Sequence, residues 1–290
     1  MKTYYDLYLY IQKELEKENM DKNIARIILE DLLSSSGADF YLFLKEKINE
    51  KIEGKALSYL ARVLKKEPIQ YILGYTYFYG NKIFVDNNVL IPRFDTENLV
   101  EIISKDFNNK NYNIADLGTG SGCIAISLKK LNSNFNFFAS DIDRKIVEMA
   151  KKNAKANNVS IEFFVGNMLD PYIEKKIKLD IIVSNPPYID YNDQEIDLNV
   201  KNHEPFKALF ANNNGLEYYD EILRNAPKVF QNRGVIYFEI GYKQKKEVLD
   251  LVKKYYKKNS EVESYKDLSG LDRVIKIYLY DLEKNYENHC

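Results

Sequence analysis

Two kinds of hydrophobic pattern divide the chain. From Thr3 to about Lys66, apolar residues recur at intervals of three and four, which is typical of amphipathic helices. Beyond residue 112, short apolar runs alternate with further helical stretches, which is typical of a parallel sheet with helical crossovers. The pattern predicts a small amino-terminal bundle of four or five helices followed by an α/β domain.

A break in the helical pattern marks the junction between these regions. Glu67-Pro68 ends the run of helices, and a β-hairpin with strands at 75–78 and 83–85 is predicted around a Gly80-Asn81 turn. We expect a helical domain over 1–74, a hairpin connector over 75–94 and an α/β domain over 95–290. In the bundle, Asp21 and Asp39 are expected to be N-caps, and Gly37 is expected to end a helix. Asp95 or Thr96 is expected to cap a later helix that ends near Asp106.

Seven strands are expected in the α/β domain. The first five alternate with helices, so they should form a mostly parallel sheet with right-handed crossovers. The last two have no helix between them and must pair as an antiparallel hairpin at one edge. The expected strands are 112–117, 135–140, 161–165, 180–184, 234–240, 261–266 and 273–280, with helices at 123–131, 144–157, 216–230 and 243–256.

The tetrapeptide Asn185-Pro186-Pro187-Tyr188 follows the buried strand at 180–184. In open α/β sheets, ligands bind at this carboxyl edge. The Asn185 side chain and the Pro186 carbonyl can accept both hydrogens of a planar NH2 group, while the Tyr188 ring stacks on its face. The nitrogen lone pair would then point at an electrophile, and a cationic electrophile needs no general base. The alternative is a proline-terminated strand with an ordinary Asn turn.

A glycine-rich loop follows the first strand and opens its helix. Its residues are Gly118, Thr119, Gly120, Ser121 and Gly122, and the glycines allow a ligand to approach the main chain. The spacing is G-x-G-x-G with Cys123 next, which differs from the pyrophosphate-binding pattern and disfavours NAD or FAD.

A carboxylate and two further residues complete this predicted cofactor site. Asp141 ends the second strand, 21 residues after Gly120, where it can accept both hydroxyls of a ribose. Asn167 and Met168 end the third strand, where they can meet an adenine ring, although Met168 equally suits ordinary core packing. With the alternating strand order, this set indicates S-adenosyl-L-methionine, whose sulfonium carries a cationic methyl group.

Composition excludes several other classes of protein. The 42 basic and 43 acidic residues give a formal net charge of -1, so no global attraction to nucleic acid is expected, although a local basic patch stays open. Two cysteines and two histidines are too few for a disulfide framework or a zinc site. Neither a signal peptide nor a membrane-spanning run is visible, so a cytoplasmic protein is expected.

Several motifs together resemble the release-factor glutamine methyltransferases, known as PrmC or HemK. The resemblance spans nearly the whole chain, and the connector motifs distinguish it from DNA adenine methyltransferases, which share Asn-Pro-Pro-Tyr. The shared segments are 67–74, 89–93, 116–122, 185–188, His203-Glu204-Pro205 with Ala208-Leu209, and Glu239-Ile240-Gly241.

This resemblance implies a fold and a set of roles. The fold would be α/β, a Rossmann-like class I methyltransferase sheet with a terminal antiparallel hairpin, behind a helical bundle that docks a protein substrate. The substrate would be the glutamine amide of the Gly-Gly-Gln motif in peptide-chain release factors. The enzyme is expected to be a monomer and to need no nucleic acid directly. Asn185 and the Pro186 carbonyl would hold the amide, Pro187 and Tyr188 would shape its slot, and Gly118 to Gly122, Asp141, Met168 and Asn185 would line the cofactor.

Some residues depart from the family pattern. Phe94-Asp95 stands where Pro-Glu is usual, Asn167 where an acidic residue is usual, and His203 where Tyr is usual. The first departure leaves open whether Arg93 contacts substrate or cofactor or is a surface charge, and the second leaves the adenine contact open. His203 is interpreted as structural.

Three other functions stay open from sequence. An adenine-N6 nucleic-acid methyltransferase would use the same slot for an exocyclic amine after base flipping. A glutamine methyltransferase acting on a ribosomal protein would share the catalytic loop. A cofactor-binding scaffold without activity is the third, and the intact segment Asn185 to Tyr188 argues against it.

Overall fold

A computed structural model describes residues 2–106, 111–193, 201 and 203–282. The chain divides into two compact units, Met1–Gly74 and Tyr75–Cys290. The roles predicted for segments 1–74, 75–94 and 95–290 stay predictions. Among the helices in the described part of the chain, none combines the length and apolar character that crossing a bilayer requires.

The first unit is the expected small helical bundle. A buried core of leucine, isoleucine and phenylalanine side chains, including Leu7, Ile11, Ile28 and Phe40, holds its helices together. Its described helices are α1 (Tyr4–Lys17), α2 (Asn23–Leu33), α3 (Gly37–Phe43), α4 (Glu50–Val63) and α5 (Ile69–Leu73).

The helix ends in this unit differ from the predictions. Asp21 accepts the Asn23 N–H at 2.9 Å, but it lies one residue before the N-cap, Lys22. Asp39 lies inside the first turn of α3 and caps nothing. Gly37 begins α3 because α2 has already ended at Ser34, which adopts the left-handed conformation with φ 49°. The Ser34 N–H bonds back to carbonyls of the last turn, which completes the helix before Gly37 is reached.

The predicted hairpin is present, with its turn one residue earlier than expected. It consists of β1 (Tyr75–Phe78) and β2 (Asn81–Phe84) in antiparallel pairing. Tyr79 and Gly80 form the turn with φ of 47° and 72°, the left-handed pair that matches strand twist in two-residue hairpins. Asn81 instead opens β2 and is buried, and its Nδ2 donates to Ser127 Oγ at 3.1 Å.

A seven-stranded sheet forms the core of the second unit, as predicted. The strands of this unit after the hairpin are β3 (Asn113–Leu117), β4 (Asn136–Asp141), β5 (Glu162–Val165), β6 (Ile181–Ser184), β7 (Ile189–Asp190), β8 (Phe210–Ala211), β9 (Gly234–Glu239), β10 (Ser260–Lys266) and β11 (Asp272–Leu279). The order in the sheet is β10-β11-β9-β6-β3-β4-β5; β9, β6, β3, β4 and β5 are parallel, and β11 is antiparallel to both β9 and β10. The two short strands β7 and β8 pair separately.

Helices accompany this sheet at all the expected places, and three short ones, at 170–174, 206–209 and 212–215, were not predicted. The described ones are α6 (Phe94–Asp106), α7 (Cys123–Leu131), α8 (Arg144–Ala156), α9 (Asp170–Glu174), α10 (Phe206–Leu209), the kinked turn α11 (Asn212–Gly215), α12 (Glu217–Val229) and α13 (Lys245–Tyr256). One predicted cap is wrong: α6 begins at Phe94, so Asp95 and Thr96 lie in its first turn. The Thr96 side chain is buried and accepts a hydrogen bond from Asn185.

Candidate active site

The sheet order places three sequence-predicted segments at one edge. β3 lies between β4 and β6, so the glycine loop after β3 is flanked by Asp141 on one side and Asn185 on the other. A cavity of about 340 Å³ opens there. Its wall includes Arg93, Gly118, Thr119, Gly120, Ser121, Asp141, Asn167, Met168, Asn185 and Pro187, whereas Gly122, Pro186 and Tyr188 are not lining residues.

The glycine loop is shaped by its backbone. Gly118 and Gly120 have φ of 65° and 55°, in the left-handed region that favours glycine. The Thr119 N–H donates to the Ser140 carbonyl at 2.9 Å, which ties the loop to β4. Gly122 has a packing role, since a Cβ there would lie 3.2 Å from the Ala150 Cβ on α8.

Asp141 is oriented by main-chain donors. Its Oδ2 accepts the Gly120 N–H at 3.1 Å and its Oδ1 accepts the Asp143 N–H at 3.3 Å. The side chain is 8% exposed, and burial raises the pKa of its carboxyl against these hydrogen bonds. The Ile142 N–H is a third main-chain donor to this carboxylate. Asp141 also lies at the cavity wall, where its remaining acceptor capacity can take a hydroxyl proton from a ligand.

A second buried carboxyl, Asp116, stands beneath the loop. Thr119 Oγ1 donates to its Oδ2 at 2.6 Å, while Oδ1 has no hydrogen-bond partner among the described residues. Burial raises the pKa of Asp116 to about 7. No role was predicted for Asp116, because the local pattern around a carboxylate at the end of a strand does not show how deeply its side chain is buried.

Asn185 makes contacts that the sequence did not predict. Its Nδ2 donates to Thr96 Oγ1 at 3.2 Å. Glu239 ends β9, which pairs directly with β6, so its buried carboxyl lies near Thr96 and Asn185. Its Oε2 has no hydrogen-bond partner among the described residues. Glu239 is 2% exposed, and burial raises its pKa to about 7. The only sign of Glu239 in the sequence was its type and place, an acidic residue at the end of an apolar strand.

Tyr188 is held through its main chain. Gln244 Nε2 donates to the Tyr188 carbonyl at 2.9 Å and to the Asn214 carbonyl at 3.2 Å, while its Oε1 accepts the Gly241 N–H at 3.1 Å. A Cβ on Gly215 would lie 2.0 Å from the Tyr188 oxygen, so only glycine fits there. Burial raises the pKa of the Tyr188 phenol to about 12, and the ring stays neutral.

Arg93 lines the cavity but is already paired. Its guanidinium donates to both carboxylate oxygens of Glu204, with Oε2 at 2.6 Å. The Glu204 side chain is 3% exposed, whereas that of Arg93 is 40% exposed. The pair joins the segment before α6 to the segment before α10. The predicted contact of Arg93 with substrate or cofactor stays a prediction.

Asn167 and Met168 are both at the cavity wall. Asn167, which stands where the family usually has an acidic residue, is paired with one: its Nδ2 donates to Glu221 Oε1 on α12 at 2.5 Å. Met168 is 8% exposed, and its Cε would lie 3.9 Å from a Cβ on Gly118. Their contacts with an adenine ring stay predictions.

Comparison with known proteins decides the family. Residues 6–74 match the family model "PrmC N-terminal domain", and residues 93–204 match "Methyltransferase small domain". The release factor glutamine methyltransferase of Bacillus cereus is 34% identical over 276 residues, covering 93% of this chain and 97% of that protein. The chain belongs to the release factor glutamine methyltransferase family.

Other similarities agree with this assignment. The release factor glutamine methyltransferase of Flavobacterium psychrophilum is 44% identical over 224 residues, covering 75% of this chain and 78% of that protein. The crystal structure of a methyltransferase from Pyrococcus furiosus aligns with a TM-score of 0.52 at 19% identity, covering 80% of this chain and 98% of that chain. That likeness concerns the fold alone. The family assignment, the class I sheet and the methyltransferase activity predicted from sequence are confirmed, while the individual site residues stay predictions.

Proposed function

We propose that this methyltransferase transfers a methyl group from S-adenosyl-L-methionine to the side-chain amide nitrogen of a glutamine in peptide-chain release factors, at the Gly-Gly-Gln motif. The observation that carries the proposal is the position of Asn185 beside the glycine loop. β6 and β3 are paired up to Ser184 and Leu117, so the tetrapeptide and the loop start side by side at one cavity. A cofactor bound at the glycine loop would therefore be within reach of an amide bound at the tetrapeptide.

The residues at the cavity fit the cofactor. The left-handed glycines Gly118 and Gly120 leave the loop backbone open to a ligand, and Asp141 offers acceptor capacity for ribose hydroxyls. Met168, also at the cavity wall, offers a polarisable apolar surface. When bound, S-adenosyl-L-methionine supplies an electrophilic methyl group on a positively charged sulfur.

The tetrapeptide would select and orient the nucleophile. Asn185 Oδ1 and the Pro186 carbonyl each accept one hydrogen of the substrate amide, and the neutral Tyr188 ring with Pro187 restricts the plane of the amide. The segment that carries both acceptors is held at its two ends, because the Asn185 side chain is bonded to Thr96 and the main chain of Tyr188 to Gln244. Orienting a reactant in this way can contribute several kcal/mol, about 7 in favourable cases, to lowering the barrier.

The helical unit is proposed to dock the release factor. Its described helices carry packing residues in their buried stripes, and exposed aromatic side chains such as Tyr5, Tyr10 and Tyr41 lie on its surface. Exposed aromatic residues are common anchors in protein interfaces. We propose that the enzyme acts as a monomer without nucleic acid.

Mass spectrometry of a folded release factor after incubation with isotopically labelled cofactor tests this function. We expect one labelled methyl group on the Gly-Gly-Gln glutamine. A release factor with that glutamine replaced is the matched control and should gain none. Label on duplex DNA or on a ribosomal protein, with none on the release factor, would contradict the proposed substrate while leaving the family assignment intact.

A further inference from the structure

One buried side chain joins the glycine loop to the hairpin formed by β1 and β2. Asn153 lies on α8, the first helix after Asp141 in the chain, and it is completely buried. Its Nδ2 donates to the Ser121 carbonyl of the loop at 2.8 Å and to the Phe84 carbonyl of the hairpin at 2.9 Å. Its Oδ1 accepts the Phe84 N–H at 2.8 Å. The function described so far gives Asn153 no part.

The three hydrogen bonds determine the orientation of the Asn153 carboxamide. All three partners are main-chain groups, whose character as donor or acceptor does not change. A reversed carboxamide would place its NH2 group against the Phe84 N–H and its oxygen against the two carbonyls, so all three bonds would be lost. Both hydrogens of Nδ2 are used, one toward each element. The loop and the hairpin are therefore held by the same amide.

The hairpin is attached to α8 along one face of the helix. Asn157 lies one turn beyond Asn153, and its Nδ2 donates to the Lys82 carbonyl at 2.9 Å. Four helical residues advance about 6 Å and two strand residues advance about 6 to 7 Å, so the two asparagines meet alternate residues of β2. Lys152 Nζ lies 4.4 Å from the centre of the Phe84 ring. These contacts hold β2 on α8 much as a neighbouring strand would.

The glycine loop is held from two sides. The Thr119 and Gly120 N–H groups bond to residues at the end of β4, at 2.9 Å and 3.1 Å, and these bonds hold the first part of the loop. Asn153 holds the second part through the Ser121 carbonyl, and Ser121 lies at the cavity wall. A loop that loses the bond from α8 keeps its bonds to β4 but should gain conformational freedom beyond Gly120.

We propose that Asn153 is a positioning residue that links the glycine loop to the hairpin, so that S-adenosyl-L-methionine bound at the loop also stabilises the hairpin. The proposal rests on the proposed function, which places this cofactor at the loop. The apparent dissociation constant of a ligand rises as the fraction of protein in the binding-competent conformation falls, so release of the loop weakens binding. Because coupling free energies are reciprocal, the cofactor must in turn strengthen the contact between Asn153 and Phe84.

Two alanine variants on the same face of α8 test the proposal. Asn153→Ala removes the bonds to both elements. Asn157→Ala is the matched control: Asn157 is also buried, and its hydrogen bonds in the described part of the chain go to the hairpin, α7 and α8 but not to the loop. Calorimetry should show cofactor binding that is weaker by about 10-fold or more in Asn153→Ala and close to the wild type in Asn157→Ala. Equal affinities in the two variants, each shown by circular dichroism to be folded, would overturn the proposal.

A second measurement needs no substitution. Hydrogen exchange of the Phe84 N–H, followed by NMR, should become slower by about 5-fold or more when S-adenosyl-L-methionine saturates the wild type, because the cofactor strengthens the contact with Asn153. The amides of β10, at an edge of the sheet, are the control for a general gain in stability and should slow less. Equal slowing at Phe84 and in β10, or no change at Phe84 on binding, would overturn the proposal.

The same experiments separate the link through Asn153 from the proposed function. Cofactor binding with the expected slowing at Phe84, but without transfer to a release factor, would contradict the proposed substrate and leave the role of Asn153 intact. A wild-type protein that binds no S-adenosyl-L-methionine would contradict both.

Discussion

The two sides of the cavity are built in different ways. On the cofactor side, the loop from Gly118 to Gly122 is one continuous segment, and Asp141 bonds to it from the adjacent strand. On the amide side, Asn185 depends on Thr96, which is 89 residues away in sequence, and Tyr188 depends on Gln244, which is 56 residues away. The cofactor side is local, whereas the amide side is assembled by the tertiary fold.

This difference predicts how the two sides respond to mutation. Changes on the cofactor side should weaken cofactor binding and spare the intrinsic transfer rate. Changes on the amide side should lower the transfer rate and spare cofactor binding, because the groups there orient the nucleophile. The predictions below test that separation.

The largest effect is expected for Asn185→Ala. The substrate amide loses one of its two acceptors at the reacting centre, and removing such a preorganised contact typically costs about 100- to 1000-fold in kcat. Steady-state kinetics with a release factor measure this loss, and calorimetry should show a much smaller change in cofactor affinity. Transfer at the wild-type rate would remove Asn185 from the proposed mechanism.

A smaller loss is expected for Gln244→Ala. The carbonyls of Tyr188 and Asn214 lose their donor and the Gly241 N–H loses its acceptor, so the tetrapeptide is less well fixed. Misplacement of a reacting group by about 1 Å can lower kcat by up to about 100-fold, and we expect at least about 10-fold here. Lys246→Ala, at an exposed position of the same helix, is the control and should have no effect. Equal rates for the two variants would contradict the role of Gln244.

On the cofactor side, Asp141→Ala should mainly affect affinity. Charge-assisted hydrogen bonds contribute about 1.5 to 3 kcal/mol each, so loss of the carboxylate should weaken cofactor binding at least about 10-fold. Isothermal titration calorimetry measures the change. Unaltered affinity in a folded variant would mean that Asp141 does not bind the ribose.

The smallest effect is expected on the free energy of unfolding of the ligand-free protein. Burial raises the pKa of Asp116 from its ordinary value of 3.8 to about 7. Its contribution to stability is therefore present below about pH 4 and is lost as the pH rises toward 7. Urea unfolding of the wild type and of Asp116→Asn should give free energies of unfolding whose difference changes over this range. A difference that is constant with pH would contradict the raised pKa.

The same contrast between the two sides explains what could be predicted from the sequence. The sheet, its terminal hairpin and the loop from Gly118 to Gly122 follow from local patterns of apolar residues, glycine and proline. Helix ends were less predictable. Ser34, and not Gly37, ends α2, because Ser34 adopts the left-handed conformation and its N–H bonds to carbonyls of the last turn. The contacts of Thr96 with Asn185 and of Gln244 with Tyr188 were not predicted, since only the tertiary fold brings these residues together.

One experiment tests the separation most directly: the single-turnover rate of methyl transfer to a release factor at saturating cofactor, measured for Asp141→Ala and Asn185→Ala in parallel. Saturation compensates for weakened binding but cannot restore a missing acceptor. We predict a rate close to wild type for Asp141→Ala and a rate lower by about 100-fold or more for Asn185→Ala. Equally slow transfer in both variants would contradict the account, because it would show that the two sides of the cavity act as one unit.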